Sequence, residues 1–412
     1  MPNNQISSLV NGIAVIIDDK IGTGDDLIDN LIDQIESKNM PCLKLRELPV
    51  SESEFIAHLH GVSFVLLDWE LFDTPVDEQG IPLADTSDDS FEKANIEFLQ
   101  TIHDKLFVPI FIFTHRDIEG VRDKLIDAKL YRKGDKTNFI FIENKSELTD
   151  NRLFNRIGDW IKETPPVYVL KTWQHEYRVA QGRLFADFYK FNPSWVTVLK
   201  KCFKDDSLPM PAVSVEIMNL IKDNITARMR VNGLEEANLG TDIDSFDREQ
   251  IRDILEHSRF IKNDKLPVDE VRCGDVFLQI EEKNGIERYF INIRPDCDCV
   301  PDRNVPNSTI DSVKLYLLEG SIFNKEKEKY SKKHGGFSPL TTQEIVFCMY
   351  NKKSLIFDFK NFSVEEYGQI KNTKLRIGRL LPPLLTHICT RYAQYILRQG
   401  LPRIPPEAIS EE

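Results

Sequence analysis

The chain has 412 residues, 41% of them hydrophobic and 29% charged, with a formal net charge of −13. That length suggests two or three domains rather than one core. The acidic balance argues against a general nucleic-acid binder, and no apolar run approaches the roughly 18 residues of a membrane span. The first residues, "MPNNQISSLVNG", lack a positive leader followed by an apolar segment, so a cytoplasmic protein without membrane contact is expected. Seven cysteines, scattered at 42, 202, 273, 297, 299, 348 and 389, make no disulfide framework in so long a chain, and reduced thiols are expected.

In chain order, "IAVIIDD" reads as a buried strand that ends in two carboxylates. Leu27, Ile28, Leu31, Ile32 and Ile35 then recur at helical spacing, and Thr23 with Asp26 gives a capping-box signature. "MPCLKLREL" supplies a second strand and "SESEFIAHLH" a short helix. "VSFVLLDWE", "VPIFIFTHRD" and "TNFIFIENKSE" are further apolar runs, separated by the amphipathic "SFEKANIEFLQTIHDKL" and "IEGVRDKLIDAKL" and closed by "NRLFNRIGDWIKE". Continuous apolar strands alternating with helices predict a doubly wound, five-stranded parallel sheet within residues 1–163.

Ligands in such sheets bind at the carboxyl ends of the strands. Here the first strand ends in Asp18 and Asp19, the third in Asp68 and the fourth in Thr114, and Lys145 follows the fifth. Any one of these alone is an ordinary helix cap or loop residue. Together, three carboxylates suit a hard divalent cation such as Mg²⁺, which also relieves the repulsion between adjacent acids. Asp68 then has the chemistry of a nucleophile towards phosphorus, with the Lys145 ammonium and the Thr114 hydroxyl as partners for phosphoryl oxygens.

The set "IIDD", "VLLDWE", "VPIFIFT" and "IENKSE", in that order, resembles the receiver domain of two-component response regulators. The resemblance implies a flavodoxin-like fold and Mg²⁺ held by Asp18, Asp19, Asp68 and the main-chain carbonyl of Glu70. It implies phosphate accepted on Asp68 from a sensor histidine kinase, with Thr114 as switch hydroxyl and Lys145 as the family's amine. No enzyme activity is implied beyond self-catalysed phosphotransfer and autodephosphorylation. Three departures stand out. The acidic stretch 73–89 lengthens the segment after Asp68, and "YRKGDKTN" lengthens the one before Lys145. Where the family carries a switch aromatic, three positions before the amine, this chain has Ile142, with Phe141 one place off.

Residues 164–262 read as a helical block, without the short turn and basic recognition helix of a DNA-binding motif. Residues 263–412 read as a β-rich module, with a partly closed barrel as its expected form, a hairpin turning at "KNG" and a closing "RIGRLLPPLLTHICTRYAQYILRQGLPRIPPE" taken as a helical pair or a Pro-bent helix with a basic face. "PDCDCV" is read as a strand end with inward cysteines in preference to a metal site, because no second ligand pair lies at zinc-like spacing. The whole chain resembles the response-receiver proteins of bacterial conflict systems such as the Detocs anti-phage system. That implies a protein that limits or buffers a phosphorelay signal, with a kinase and an effector response regulator as partners and a homodimer as a compatible state. The alternative is a regulator whose C-terminal region is itself a phosphorylation-controlled effector, an enzyme or a nucleic-acid binder.

Overall fold

A computed structural model describes residues 10, 12–49, 52–71, 88–115, 117–134, 138–148, 151–205, 210–230, 247–302, 305, 307–322 and 348–397. The chain divides into two compact units, one of residues 1–186 and 225–241, the other of residues 187–224 and 242–412.

The first unit is built on β1 (Ile13–Ile17), β2 (Cys42–Leu45), β3 (Val62–Asp68), β4 (Ile110–Thr114) and β5 (Ile140–Asn144), all parallel in the order β2-β1-β3-β4-β5. The five-stranded doubly wound sheet is therefore present. Its apolar runs are continuous because both faces are covered. Ala14, Ile16, Phe64, Leu66, Phe111 and Phe113 point to one face, against α1 (Asp26–Glu36) and α5 (Leu153–Glu163). Val15, Ile17, Val65, Leu67, Ile110 and Ile112 point to the other, against α2 (Glu52–His58), α3 (Asp88–Lys105) and α4 (Ile118–Asp127). The cap of α1 differs from the capping box expected: Asp25 is the N-cap, accepting from the amides of Leu27 and Ile28, while the Thr23 hydroxyl donates to the Lys20 carbonyl. A carboxylate there also complements the positive end of the helix dipole.

Of the three departures, the stretch 73–89 lies almost wholly outside the described residues. In the lengthened loop before β5, the Asn138 side chain closes a turn on both the amide and the carbonyl of Arg132. Phe141 and Ile142 face opposite sides of the sheet. The Phe141 ring sits 5.8 Å from Phe111 and 6.2 Å from Trp160, on the α1/α5 face, and Ile142 packs on the other.

Beyond the sheet, α6 (Pro165–Phe191), α7 (Trp195–Asp205), α8 (Met210–Arg228) and α9 (Arg248–Arg259) form the expected helical block. Proline suits the first turn of α6, where amides have no partner within the helix. A true capping box, Asp247 with Gln250, opens α9.

The second unit contains a seven-stranded antiparallel sheet, ordered β10-β11-β9-β8-β7-β12-β6. Its strands are β6 (Phe260–Lys262), β7 (Asp275–Ile280), β8 (Glu287–Asn292), β9 (Lys314–Ile322), β10 (Cys348–Tyr350), β11 (Lys353–Glu366) and β12 (Leu375–Leu380). The hairpin β7–β8 turns at Gly285, whose amide donates to the Glu281 carbonyl at 2.8 Å. The two end strands meet through side chains, with the rings of Phe260 and Tyr350 5.5 Å apart. After α10 (Tyr367–Thr373), two expectations are corrected. "LRIGRL" is the strand β12 rather than helix, because it pairs with both β6 and β7, and α11 (Leu384–Leu397) begins only after Pro382–Pro383, which prevent the helix from reaching further back. Asp296–Asp298 form one turn of 3₁₀ helix rather than a strand end, with Cys299 buried next to it, its thiol accepting from the Asn292 side chain and donating to the Arg294 carbonyl.

Candidate functional site

The strand order reverses between β1 and β3, and the residues at that switch point are acidic. Parallel register puts Ile17 beside Leu67, so Asp18 and Asp68 emerge next to each other at the carboxyl edge. Both are nearly fully buried, at 1% and 3% exposure, and Asp19 is half-buried. Carboxylate oxygens of Asp18, Asp19 and Asp68 lie within 4.8 Å of one another, the one such grouping of potential metal ligands among the described residues. Three hard oxygen donors this close together fit a hard divalent cation.

Lys145 opens a 3₁₀ turn (Lys145–Leu148) directly after β5, a turn fixed by the amide and hydroxyl of Ser146 donating to the Asn144 side chain. From there its buried ammonium reaches back across the sheet edge, donating to Asp18 Oδ2 at 2.5 Å and Asp68 Oδ2 at 3.1 Å. The other Asp68 oxygen accepts from the Glu70 amide at 3.1 Å. Burial pushes Asp68 up to about 6, opposed by Lys145 and reinforced by Asp18. Burial works against the Lys145 ammonium too, but Asp68 and Asp18 outweigh it and hold the amine above its ordinary range. The site thus carries more negative charge than one lysine neutralises.

Thr114, fully buried at the end of β4, joins this edge through Glu70. Its hydroxyl donates to Glu70 Oε1 at 3.3 Å, and the His115 amide donates to Glu70 Oε2 at 3.1 Å. The glutamate was expected to matter through its main-chain carbonyl; its side chain also engages this edge, as the acceptor for two donors.

Comparison of the sequence with protein-family models and with curated proteins finds no match. The site is therefore read from its own geometry.

Two supporting residues went unnoticed in the sequence. Asn95 of α3 is fully buried and donates to the Trp69 carbonyl at 2.9 Å, holding the chain just after Asp68. Gln34 of α1 donates to the Leu148 carbonyl at 2.9 Å and accepts from the Leu153 amide at 3.0 Å, pinning the segment after Lys145. Each is a polar residue beside the apolar stripe of its helix, which was the available signal.

Proposed function

We propose that the chain is a two-component phosphoacceptor protein, with Asp68 as the residue that takes phosphate from the phospho-histidine of a sensor kinase. The observation that carries this reading is the cluster of Asp18, Asp19 and Asp68 at the topological switch point, in which buried Lys145 bridges Asp18 and Asp68. In the reaction an Asp68 oxygen attacks phosphorus, the P–N bond breaks, and the imidazole leaves to take up a proton. Lys145 donates to one Asp68 oxygen and the Glu70 amide to the other, so the ammonium is at hand to offset charge on the transferring group. The Thr114 hydroxyl and the His115 amide are the donors for the remaining phosphoryl oxygens. Asp18, Asp19 and Asp68 would hold Mg²⁺, with the Glu70 carbonyl as the further ligand that the resemblance suggests. When bound, the ion neutralises the carboxylates and the charge of the phosphoryl group.

Among the described residues no helix is long and apolar enough to cross a membrane. A cytoplasmic protein that limits or buffers a phosphorelay signal in anti-phage defence, alongside an effector regulator, is the form of the proposal that the whole-chain resemblance supports. A second reading, of a phosphorylation-controlled effector, is favoured by a cavity of about 600 Å³ in the second unit, lined by Val215, Met218, Glu270, Arg272, Asp296 and Cys299 among others.

Incubation with Mg²⁺ and acetyl phosphate, or with beryllofluoride, tests the core claim. An adduct on the wild type that Asp68→Asn lacks supports it, and its absence from both proteins rejects it. Overproduction beside the cognate kinase separates the two readings: quenched signalling that needs Asp68 supports the buffer, and toxicity that needs residues 164–412 supports the effector.

A further inference from the structure

In the second unit, Cys273 and Cys389 come together from positions 116 residues apart, with their sulfur atoms 4.0 Å from each other. Cys273 sits in the turn before β7 and Cys389 in the middle of α11. The backbone of that turn packs closely on the end of β12 and on the Leu385 side chain in the first turn of α11. Gly274 has φ +89°, and a Cβ there would lie 2.5 Å from the Leu380 carbonyl and 2.8 Å from the Leu385 side chain. Only glycine permits so close an approach. The Gly274 amide donates to the Asn292 carbonyl at 2.7 Å, its carbonyl accepts from Leu380 at 2.8 Å, and the Cys273 amide donates to Asp296 Oδ1 at 2.8 Å. Groups on both sides of Cys273 thus fix its place, and both cysteines belong to the rim of the same apolar cluster and are half-buried.

We propose that Cys273 and Cys389 form an oxidation site, closing to an intramolecular disulfide on reaction with a peroxide. Side-chain rotation has to bring the sulfurs from 4.0 Å to the bonded separation of about 2.05 Å, without movement of the backbone that holds them. Cys389 is the attacking thiol, because the hydrogen bond from Cys273 favours its thiolate, whereas that same bond and burial disfavour the thiolate of Cys273. The Cys389 thiolate attacks one peroxide oxygen, the O–O bond breaks, and hydroxide leaves and takes up the proton that the thiol gave up, giving a sulfenic acid and water. Cys273 then attacks that sulfur, its proton and the sulfenic hydroxyl leave as water, and the disulfide forms. Two thiols are oxidised by two electrons, and one peroxide is reduced to two molecules of water. The product ties α11 to the turn that leads into β7. Cys299, enclosed by Asn292 and the Arg294 carbonyl, and Cys202, exposed on α7, lack this pairing geometry.

The full chain is treated with one equivalent of hydrogen peroxide, blocked with N-ethylmaleimide, digested without reductant and mapped by mass spectrometry, with Cys202→Ser as a control against linkage between molecules. The expected product is a cross-linked peptide pair containing residues 273 and 389, lost on addition of dithiothreitol, and an oxidised protein that melts several degrees higher than the reduced one. That upward shift disappears in Cys273→Ser and in Cys389→Ser. Recovery of both cysteines as maleimide adducts, pairing of either with another cysteine, or arrest of Cys389 as a sulfinic acid overturns the proposal. Mapping of the wild type alone decides the matter if a serine variant does not fold.

Discussion

Each unit buries a cluster of acids and bases, and the two clusters are built to opposite specifications. In the second unit Asp275, fully buried, receives Arg379 through Nε at 2.6 Å and Nη2 at 3.3 Å, and also the Arg272 amide at 2.9 Å. Arg379 continues to Glu270 at 3.1 Å, and Arg376 donates to the side chain of Asn263 and to the carbonyls of Glu270 and Pro267. Burial raises the Asp275 pKa against the pull of Arg379, while Glu270 is held below its ordinary range by Arg272 and Arg379 in spite of its own burial. Three guanidinium groups meet two carboxylates, and the surplus N–H groups go to fixed carbonyls. In the first unit three carboxylates meet one ammonium. A closed network whose surplus donors are all taken up by fixed acceptors has no need of a ligand; an open, acid-rich one has the charge to take a cation.

The same substitution should therefore have opposite signs at the two places. Asp275→Asn removes the counter-charge of buried Arg376 and leaves Arg379 with Glu270 alone, and is expected to cost about 3–5 kcal/mol in urea unfolding, with no dependence on Mg²⁺. An equally stable variant would show that the network is not the closed one described. Between these extremes lies a third buried charge, Lys171 of α6, whose ammonium donates to the Ser63 carbonyl at 2.9 Å and to Gln174 at 3.1 Å. Burial, with a smaller push from Arg178, lowers its pKa to about 8. The folded chain then binds fewer protons here than the unfolded chain between about pH 8 and pH 10.5, so stability should rise with pH across that window. The gain is on the order of 3 kcal/mol, and Lys171→Met should abolish the slope. A slope unchanged in that variant would assign the effect to other groups.

How much of this was legible depended on where polarity is local. The first sheet could be read because strands covered on both faces need continuous apolar runs, and Asp18, Asp68, Thr114 and Lys145 stand at the ends of those runs. The closing segment could not, because Arg376 and Arg379 look like a basic helical face until Asp275, about a hundred positions earlier, is placed on the neighbouring strand. "PDCDCV" drew attention by composition, yet the sulfur pairing in this unit runs from Cys273 to Cys389, a relation no spacing rule reveals. Glu70 was assigned through its backbone, since nothing local says that its carboxylate turns towards Thr114 and His115.

The remaining predictions concern the acid-rich cluster. Asp68→Asn removes one of three crowded charges, so in chelator at neutral pH it should unfold about 1–3 kcal/mol later than the wild type, the reverse of Asp275→Asn. Added Mg²⁺ should close or invert that gap, because only the wild type keeps all three ligands. A destabilised Asp68→Asn in chelator would mean that Lys145 already neutralises the site. The smallest effect is expected at Glu70. Its carboxylate engages the Thr114 hydroxyl and the His115 amide, donors that an entering phosphoryl group would also use, so the internal anion competes with the external one. Glu70→Gln retains a hydrogen-bonding side chain but weakens that hold, and modification by acetyl phosphate should become a few-fold faster, the equivalent of about 1 kcal/mol. An unchanged or slower rate would mean that Glu70 orders the donors rather than occupying them, and the open character of this cluster would then lie with the carboxylates alone.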